Sequence, residues 1–188
     1  MPKQKEFGNY VLKIENGFLL VQNQPSVSFS IEFEGKDFEP FPSDHPKFVL
    51  DGKAIQLVTI PCESVWKPKD NLDVNPTVDE LLESHKDWET NYLSNALKFK
   101  LNTTSSFIEI APDRKVMVWS FKIPKNSNSS PTNYLFITTV IGENIIGFNS
   151  ASDDFAGQNS CCEYLLESLK TLKTSNEPYN IEELSNNI

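Results

Sequence analysis

Apolar and polar residues alternate along the first sixty residues of the chain, and this pattern predicts strands joined by tight turns. In "VSFSIEF" every second residue is apolar, which places the apolar side chains on one face of a strand. "YVLKI" and "FLLVQ" flank the turn residues "ENG", and "KFVL" and "KAIQLVTI" flank Asp51-Gly52, a pair suited to a tight hairpin turn. We therefore expect two hairpins, and we expect the acidic, proline-rich segment "EGKDFEPFPSDHP" between them to be a loop.

The period changes to three and four residues between Thr77 and Ala96, which predicts an amphipathic helix of about five turns. Thr77 and Glu80 have the spacing of a capping box, in which each side chain satisfies a free backbone N–H at the helix start. The apolar stripe of this helix consists of Val78, Leu81, Leu82, Trp88, Tyr92, Leu93 and Ala96.

Strands return in "SSFIEI", "KVMVWSFKI", "NYLFITTVI" and "NIIGFNS", and the last two join across Gly142-Glu143. Short connections of this kind favour an antiparallel meander. A second helix is predicted over "SCCEYLLESLKTLK", with Ser160 and Glu163 as its capping box.

This order of elements predicts an α+β fold, because each helix must bury its apolar stripe against a sheet. We expect a three-layer α/β/α sandwich with a mostly antiparallel sheet. The 188 residues suit one domain, which we place at residues 10–173. Residues 1–9 are expected to form a flexible N-terminus, and residues 174–188 a polar, acidic tail.

Composition and charge narrow the classes of partner. The formal net charge is −9, and Arg114 is the only arginine. Nucleic-acid recognition depends on clustered arginine and lysine, so this class is disfavoured, whereas a protein with a basic surface is compatible. No apolar run is long enough to span a membrane. The odd count of three cysteines predicts reduced thiols and a cytoplasmic location.

His85 is the most tempting catalytic candidate, in the segment "TVDELLESHKDWETNYL". It lies on or beside the apolar stripe of the first helix, and Glu89 shares its side one turn later. One interpretation is a general base oriented by a carboxylate. The favoured alternative is a partly buried histidine that packs against Trp88. No G-x-S-x-G nucleophile motif and no glycine-rich phosphate loop accompany it, so we predict that the protein is not an enzyme.

Metal and cofactor sites have little support in the sequence. Zinc needs three or four ligands, and the only histidines are His45 and His85. Cys161 and Cys162 are adjacent rather than spaced as C-x-x-C. We predict no metal and no cofactor.

Aromatic residues in the predicted loops indicate a binding surface. Phe38, Phe41 and Trp66 are surrounded by proline, acidic and lysine residues, and aromatic residues in polar surroundings often anchor protein interfaces. The alternative is that they fold back over the sheet as a lid on the core.

The order of the elements and the residue patterns of several segments resemble those of the PsbP/Mog1-like superfamily, including bacterial families of this fold. The segments that carry the resemblance are "DELLESHKDWETNYL", "VMVWSF", "YLFITTVIGENIIGFNS" and "CEYLLESLKTLK". The resemblance covers roughly residues 10–173 and implies an α/β/α sandwich and a mainly non-enzymatic role as a partner or adaptor of other proteins. None of the functional residues of that family maps onto this chain.

The leading hypothesis is therefore an adaptor or chaperone-like module that binds another protein through Phe38, Phe41, Trp66 and an acidic surface. The alternative is a small-molecule-binding protein or an enzyme whose pocket lies between sheet and helix near His85, Trp88 and Trp119. A third alternative is an exported or lipid-anchored form of the same fold.

Overall fold

A computed structural model of the chain describes residues 7–41, 47–66, 75–123, 133–153 and 155–188. Residues 1–6 of the predicted N-terminal segment lie outside the described residues, and so does His45.

The described residues form two antiparallel sheets. The first sheet has the strand order β1-β2-β3-β11, with β1 (Gly8–Ile14), β2 (Gly17–Asn23), β3 (Ser28–Glu34) and β11 (Lys173–Ser175). The second sheet has the order β4-β5-β6-β10-β9-β8-β7. Its strands are β4 (Phe38–Phe41), β5 (Lys47–Leu50), β6 (Lys53–Pro61), β7 (Thr103–Ala111), β8 (Arg114–Lys122), β9 (Asn133–Ile141) and β10 (Asn144–Ser152).

Four helices accompany the sheets in the described part of the chain. They are α1 (Cys62–Val65), α2 (Val78–Leu97), α3 (Phe155–Lys170) and α4 (Ile181–Asn186). The capping box of α2 is confirmed, since the Thr77 hydroxyl accepts from the Glu80 N–H and the Glu80 carboxylate accepts from the Thr77 N–H at 2.8 Å. The predicted capping box of the last long helix is wrong. That helix already begins at Phe155, so Ser160 and Glu163 lie inside it.

The core has two parts on opposite faces of the seven-stranded sheet, because successive side chains of a strand point to opposite faces. One part lies between this sheet, the four-stranded sheet and α3, and contains Phe33, Ile137, Phe148 and Leu165. The other lies between the opposite face and α1 and α2. It contains Leu82, Met117, Trp119, Phe121 and Phe136.

The prediction of a three-layer α/β/α sandwich is wrong. Among the described residues, 48% lie in strands and 28% in helices, and the strands divide into sheets of four and seven. The strands β1, β2 and β3 do not join the second sheet, because β3 pairs on its free side with Lys173–Ser175 near the end of the chain. A sheet therefore stands beside α3 where the prediction had only a helix layer.

The three predicted hairpins are confirmed. They turn between Ile14 and Gly17, at Asp51-Gly52, and at Gly142-Glu143. Asp51 and Gly52 both have positive φ, at 47° and 76°, as the tight turn requires. The predicted loop around Phe38 is wrong in part, since residues 38–41 form β4 and pair with β5.

The C-terminal segment is tied to the first sheet beyond β11. The Tyr179 N–H donates to the Asn23 side-chain oxygen at 2.8 Å, and the Asn23 amide donates back to the Tyr179 carbonyl at 3.0 Å. The only arginine also has a structural contact, because the Arg114 guanidinium donates to the Leu172 carbonyl at 2.9 Å, just after α3. The division into tail, domain and tail stays a prediction.

Candidate ligand-binding groove

The candidate site is an open groove between α2 and one face of the seven-stranded sheet. Its volume is about 840 Å³, which falls within the roughly 300–1,000 Å³ typical of small-molecule sites. Helix α2 forms one wall with His85, Trp88, Glu89, Tyr92 and Leu93. Their spacing of three and four residues places them on one side of the helix. We call this cavity the α2 groove.

The floor of the α2 groove is built from residues of β6, β10 and β9 that share one face of the sheet. Val58, Gly147 and Thr138 lie side by side, because Gly147 pairs with both of its neighbours in the antiparallel register. Gln56 and Asn149 form the next pair along the strands. The floor therefore brings amide and hydroxyl groups together in otherwise apolar strands.

Gly147 leaves space on this floor. Its backbone does not have the positive φ that favours glycine, so the missing side chain matters for room rather than for conformation. A Cβ at this position would lie 3.1 Å from the Thr138 methyl carbon. Glycine inside a strand often marks a place where a ligand or another chain approaches closely.

One end of the α2 groove is held in place by hydrogen bonds to the first sheet. The Gln22 amide donates to the Asn9 oxygen at 2.7 Å, and the Gln22 oxygen accepts from the Thr59 hydroxyl at 2.8 Å. The Asn144 amide donates to the Ser26 hydroxyl at 3.0 Å. Gln22 and Asn144 are therefore oriented before any ligand arrives.

His85 is the most deeply buried polar side chain of the helix wall, with 4% of its surface exposed. Its Nδ1 atom has no hydrogen-bond partner among the described residues. Burial lowers the pKa of His85 to about 4, because desolvation disfavours the charged imidazolium. The ring is therefore neutral at pH 7 and can exchange hydrogen bonds with a ligand.

Thr138 provides a second buried polar atom without a partner, its hydroxyl oxygen, within the described part of the chain. The residue is 1% exposed and belongs to the floor of the α2 groove. A buried, unsatisfied hydroxyl costs about 1–3 kcal/mol. Neither this oxygen nor the His85 Nδ1 atom has accessible surface, so both are polar groups buried behind the lining of the groove.

Among the residues that the structure describes, Glu89 is the only acidic one that lines the α2 groove, and no lysine or arginine lines it. Burial raises the pKa of Glu89, since desolvation disfavours its carboxylate. The groove therefore has little charge to attract an anion.

Trp88 and Tyr92 bring aromatic surface to the helix wall of the α2 groove. Their side chains are 44% and 61% exposed. The ring planes differ by 9° and the centroids lie 6.1 Å apart. His85 continues the row toward the interior, with its centroid 6.4 Å from that of Trp88. The helix therefore presents a row of rings that runs from the core to the surface.

The predicted pocket residues fall in two places. His85 and Trp88 line the α2 groove, together with Glu89, whose i+4 spacing predicted that it shares the side of His85. Trp119 does not line the groove but lies beside its floor on the same face of the sheet, where its ring stacks on Phe136 with centroids 3.9 Å apart. Its indole Nε1 atom is buried without a partner among the described residues.

The predicted protein-binding residues Phe38 and Trp66 pack against the core. The Phe38 ring lies 5.1 Å from Phe18 and 5.4 Å from Phe48 between centroids. Trp66 is half-buried against the core cluster beneath α1 and α2. Phe41 ends β4, and its side chain lies outside what the structure describes. Partner binding through these three residues stays a prediction.

The cysteines do not form a reactive site. Burial raises the pKa values of Cys62, Cys161 and Cys162, which keeps their thiols protonated. Since α3 starts at Phe155, Cys161 and Cys162 do not lie at its N-terminus. Within the described ranges, no group of three histidine, cysteine or acidic residues could hold a metal ion.

Sequence reasoning missed the sheet half of the α2 groove. Gln56, Thr138, Gly147 and Asn149 were absent from the predicted site. The signal that could have found them is the interruption of apolar strands by amide residues and by a glycine.

Comparison with known proteins identifies no relative of this chain. The chain matches no protein-family model, no curated protein and no solved structure. The resemblance to PsbP/Mog1-like proteins therefore stays a prediction. Among the residues that the structure describes, no helix has the length and apolar character required to cross a membrane.

Proposed function

We propose that this protein binds a small organic ligand in the α2 groove and does not transform it. The observation that carries the proposal is a cavity of 840 Å³ that brings the exposed rings of Trp88 and Tyr92 together with the side-chain amides of Gln56 and Asn149. Small-molecule sites typically combine apolar and aromatic surface with a few polar groups that fix the orientation of the ligand. A ligand that packs on the rings and hydrogen-bonds the amides would be oriented by both walls.

The shape of the floor supports the same proposal. Gly147 keeps the sheet surface low between Val58 and Thr138, so a ligand can approach the strand closely at this point. An alanine here would add a methyl group 3.1 Å from the Thr138 side chain. It would narrow the α2 groove at its floor.

Binding without chemical change fits the proton affinity of the groove residues. A group with a pKa near 4, as His85 has, is a weak proton acceptor at neutral pH, whereas general bases work best with a pKa near the working pH. His85 therefore suits hydrogen bonding better than proton transfer.

The protein-interaction hypothesis has weaker support. Two of its three residues, Phe38 and Trp66, pack against core clusters, which leaves less of their surface for a partner. The net charge of −9 still favours a basic partner over an acidic one.

A fragment screen by amide NMR tests the proposal. Small neutral molecules with aromatic or polyhydroxyl groups are titrated into ¹⁵N-labelled wild-type protein and into Gly147→Ala. We expect the perturbed amides to cluster at α2 residues 85–93 and at the floor strands, and we expect Gly147→Ala to remove these shifts. Ser105→Ala is the matched control, because Ser105 is an exposed residue of β7 that does not line the α2 groove.

Two results would refute ligand binding in the α2 groove. One is a screen in which no fragment perturbs these amides. The other is a set of hits that bind Gly147→Ala as strongly as the wild type.

A further inference from the structure

The α2 groove is longer than its volume alone suggests. A second cavity of about 240 Å³ shares Gln56, Tyr134 and Asn149 with it. Together the two cavities follow β10 from Asn144 to Ala151. Seven residue steps along a strand cover roughly 23 Å at about 3.3 Å each. A groove of this length suits a chain-like ligand better than a single compact ring.

Apart from Glu89 and Lys47, the hydrogen-bonding side chains along the groove are neutral and are mainly carboxamides and hydroxyls. The side chains of Gln56 and Asn149 have no hydrogen-bond partner among the described residues. A carboxamide offers both donors and an acceptor. Hydroxyl groups also donate and accept, so a polyhydroxylated ligand can use both halves of each amide.

Charge argues against anionic ligands. Among the described residues, no lysine or arginine lines the α2 groove, and Lys47 is the only one that lines the second cavity. Phosphates and carboxylates are bound chiefly by such side chains. The whole chain carries −9, which repels anions at long range. The ligand that fits this charge distribution is uncharged.

The exposed rings of Trp88 and Tyr92 supply the apolar part of the recognition. A sugar ring has C–H groups on its faces and hydroxyls around its edge, so it can pack on an aromatic side chain while its hydroxyls bond to amides. The two rings are nearly parallel and stand at the groove. The amides of the floor lie across from them.

Resting on the proposed ligand-binding function, we infer that the α2 groove binds a neutral oligosaccharide, held by Trp88, Tyr92 and His85 on the helix and by Gln56 and Asn149 across the groove. A proline-rich peptide is the competing ligand, because aromatic grooves also bind such segments. The floor favours the sugar. A proline ring presents no hydrogen-bond donor to His85 or to the amides, whereas sugar hydroxyls do.

Calorimetric titration with five neutral tetrasaccharides tests the inference. The panel is cellotetraose, maltotetraose, xylotetraose, mannotetraose and tetra-N-acetylchitotetraose. We expect at least one to bind with a Kd of about 1 mM or tighter, and Trp88→Ala to weaken it by about ten-fold or more. Gln56→Ala should weaken it several-fold. Phe107→Ala is the matched control, because Phe107 is an exposed aromatic residue of β7 outside the groove.

Each other outcome separates the sugar inference from the proposed function. If no tetrasaccharide binds but fragments in the NMR screen still occupy the groove, the ligand class is wrong and the binding function stands. If a decaproline peptide binds through Trp88 and no sugar does, the site is a peptide groove and the sugar inference is overturned. If sugars, peptide and fragments all fail to bind, both proposals are overturned.

Discussion

The two faces of the seven-stranded sheet come from the same strands and differ in chemistry. Toward α3 and the first sheet, β9 and β10 present Leu135, Ile137 and Phe148, all buried. Toward α2, the intervening positions include Gly147 and Asn149. One face is closed by a second sheet and a helix, whereas α2 leaves a groove on the other.

Within one sheet, the closed face therefore contributes mainly to stability, whereas the open face is the one suited to binding. On the closed face, Phe33 meets Phe48 and Phe148 edge to face, with centroids 5.4 and 5.6 Å apart, a geometry that adds to the burial of aromatic surface. On the open face, the same strands carry polar atoms that lower stability when they lack partners. Departures from apolar packing of this kind are expected at functional sites.

The largest expected effect comes from removing a side chain on the closed face. Phe148 is 1% exposed, and Phe148→Ala should lower the free energy of unfolding by about 3–5 kcal/mol, because it removes buried surface and leaves a cavity. Asn149→Ala, one residue along on the open face, should change it by less than about 1 kcal/mol. Urea denaturation of both variants measures the contrast.

Equal losses in these two variants would contradict the division between the faces. They would mean that the α2 side is packed as tightly as the side facing α3.

The second expected effect is a pH dependence of the free energy of unfolding, caused by His85 on the open face. The pKa of His85 is about 4 in the fold against 6.5 without burial, so between these values the unfolded chain binds more protons. The free energy of unfolding should therefore fall as the pH falls from about 6.5 to about 4, by about 3 kcal/mol at most, and level off below. Thermal denaturation across this range measures the slope.

Glu89 acts in the opposite direction and supplies the control. Its pKa is raised by burial, so its contribution is present at low pH and is lost as the pH rises through the folded pKa. His85→Leu should remove the loss of stability between pH 6.5 and 4, whereas Glu89→Gln should leave it and make it steeper. An unchanged pH profile in His85→Leu would show that the histidine does not cause it.

Much of the local structure could be predicted from the sequence, because it depends on neighbouring residues. Asp51-Gly52 predicted a turn with positive φ, and Thr77 with Glu80 predicted the start of α2. The side of α2 that holds His85 and Glu89 followed from their i,i+4 spacing. Each of these signals lies within a few positions of the structure that it specifies.

The division into two sheets could not be predicted in the same way. The strand that completes the first sheet, Lys173–Ser175, pairs with Ser28–Ser30 from the other end of the chain, and its three residues carry no strand pattern. The start of α3 was missed because Ser160 and Glu163 imitate a capping box inside a helix. Half of the α2 groove was missed because strands far apart in sequence meet in its floor.

Adjacent threonines on the two faces allow a smaller and sharper comparison. Both are 1% exposed, but the Thr139 hydroxyl donates to the Lys115 carbonyl at 2.9 Å, whereas the Thr138 hydroxyl has no partner among the described residues. Thr139→Val should lower the free energy of unfolding by about 1 kcal/mol, and Thr138→Val should raise it by about 1 kcal/mol. Denaturant midpoints of the two variants give the signs, and a loss in both would show that Thr138 is satisfied in solution.

The smallest effect concerns the space above Gly147. Gly147→Ala should raise the free energy of unfolding by about 0.4–1 kcal/mol, because alanine restricts the unfolded chain more than glycine does. The new methyl group also meets the Thr138 methyl carbon at 3.1 Å, which lowers the free energy of unfolding, so the net change should be near zero. Thr138→Ser removes that methyl carbon, and in its background Gly147→Ala should recover about 0.5 kcal/mol. A double-mutant cycle by thermal denaturation measures this coupling. If Gly147→Ala stabilises both backgrounds equally, the two side chains do not meet and the floor of the α2 groove has more room than this contact indicates.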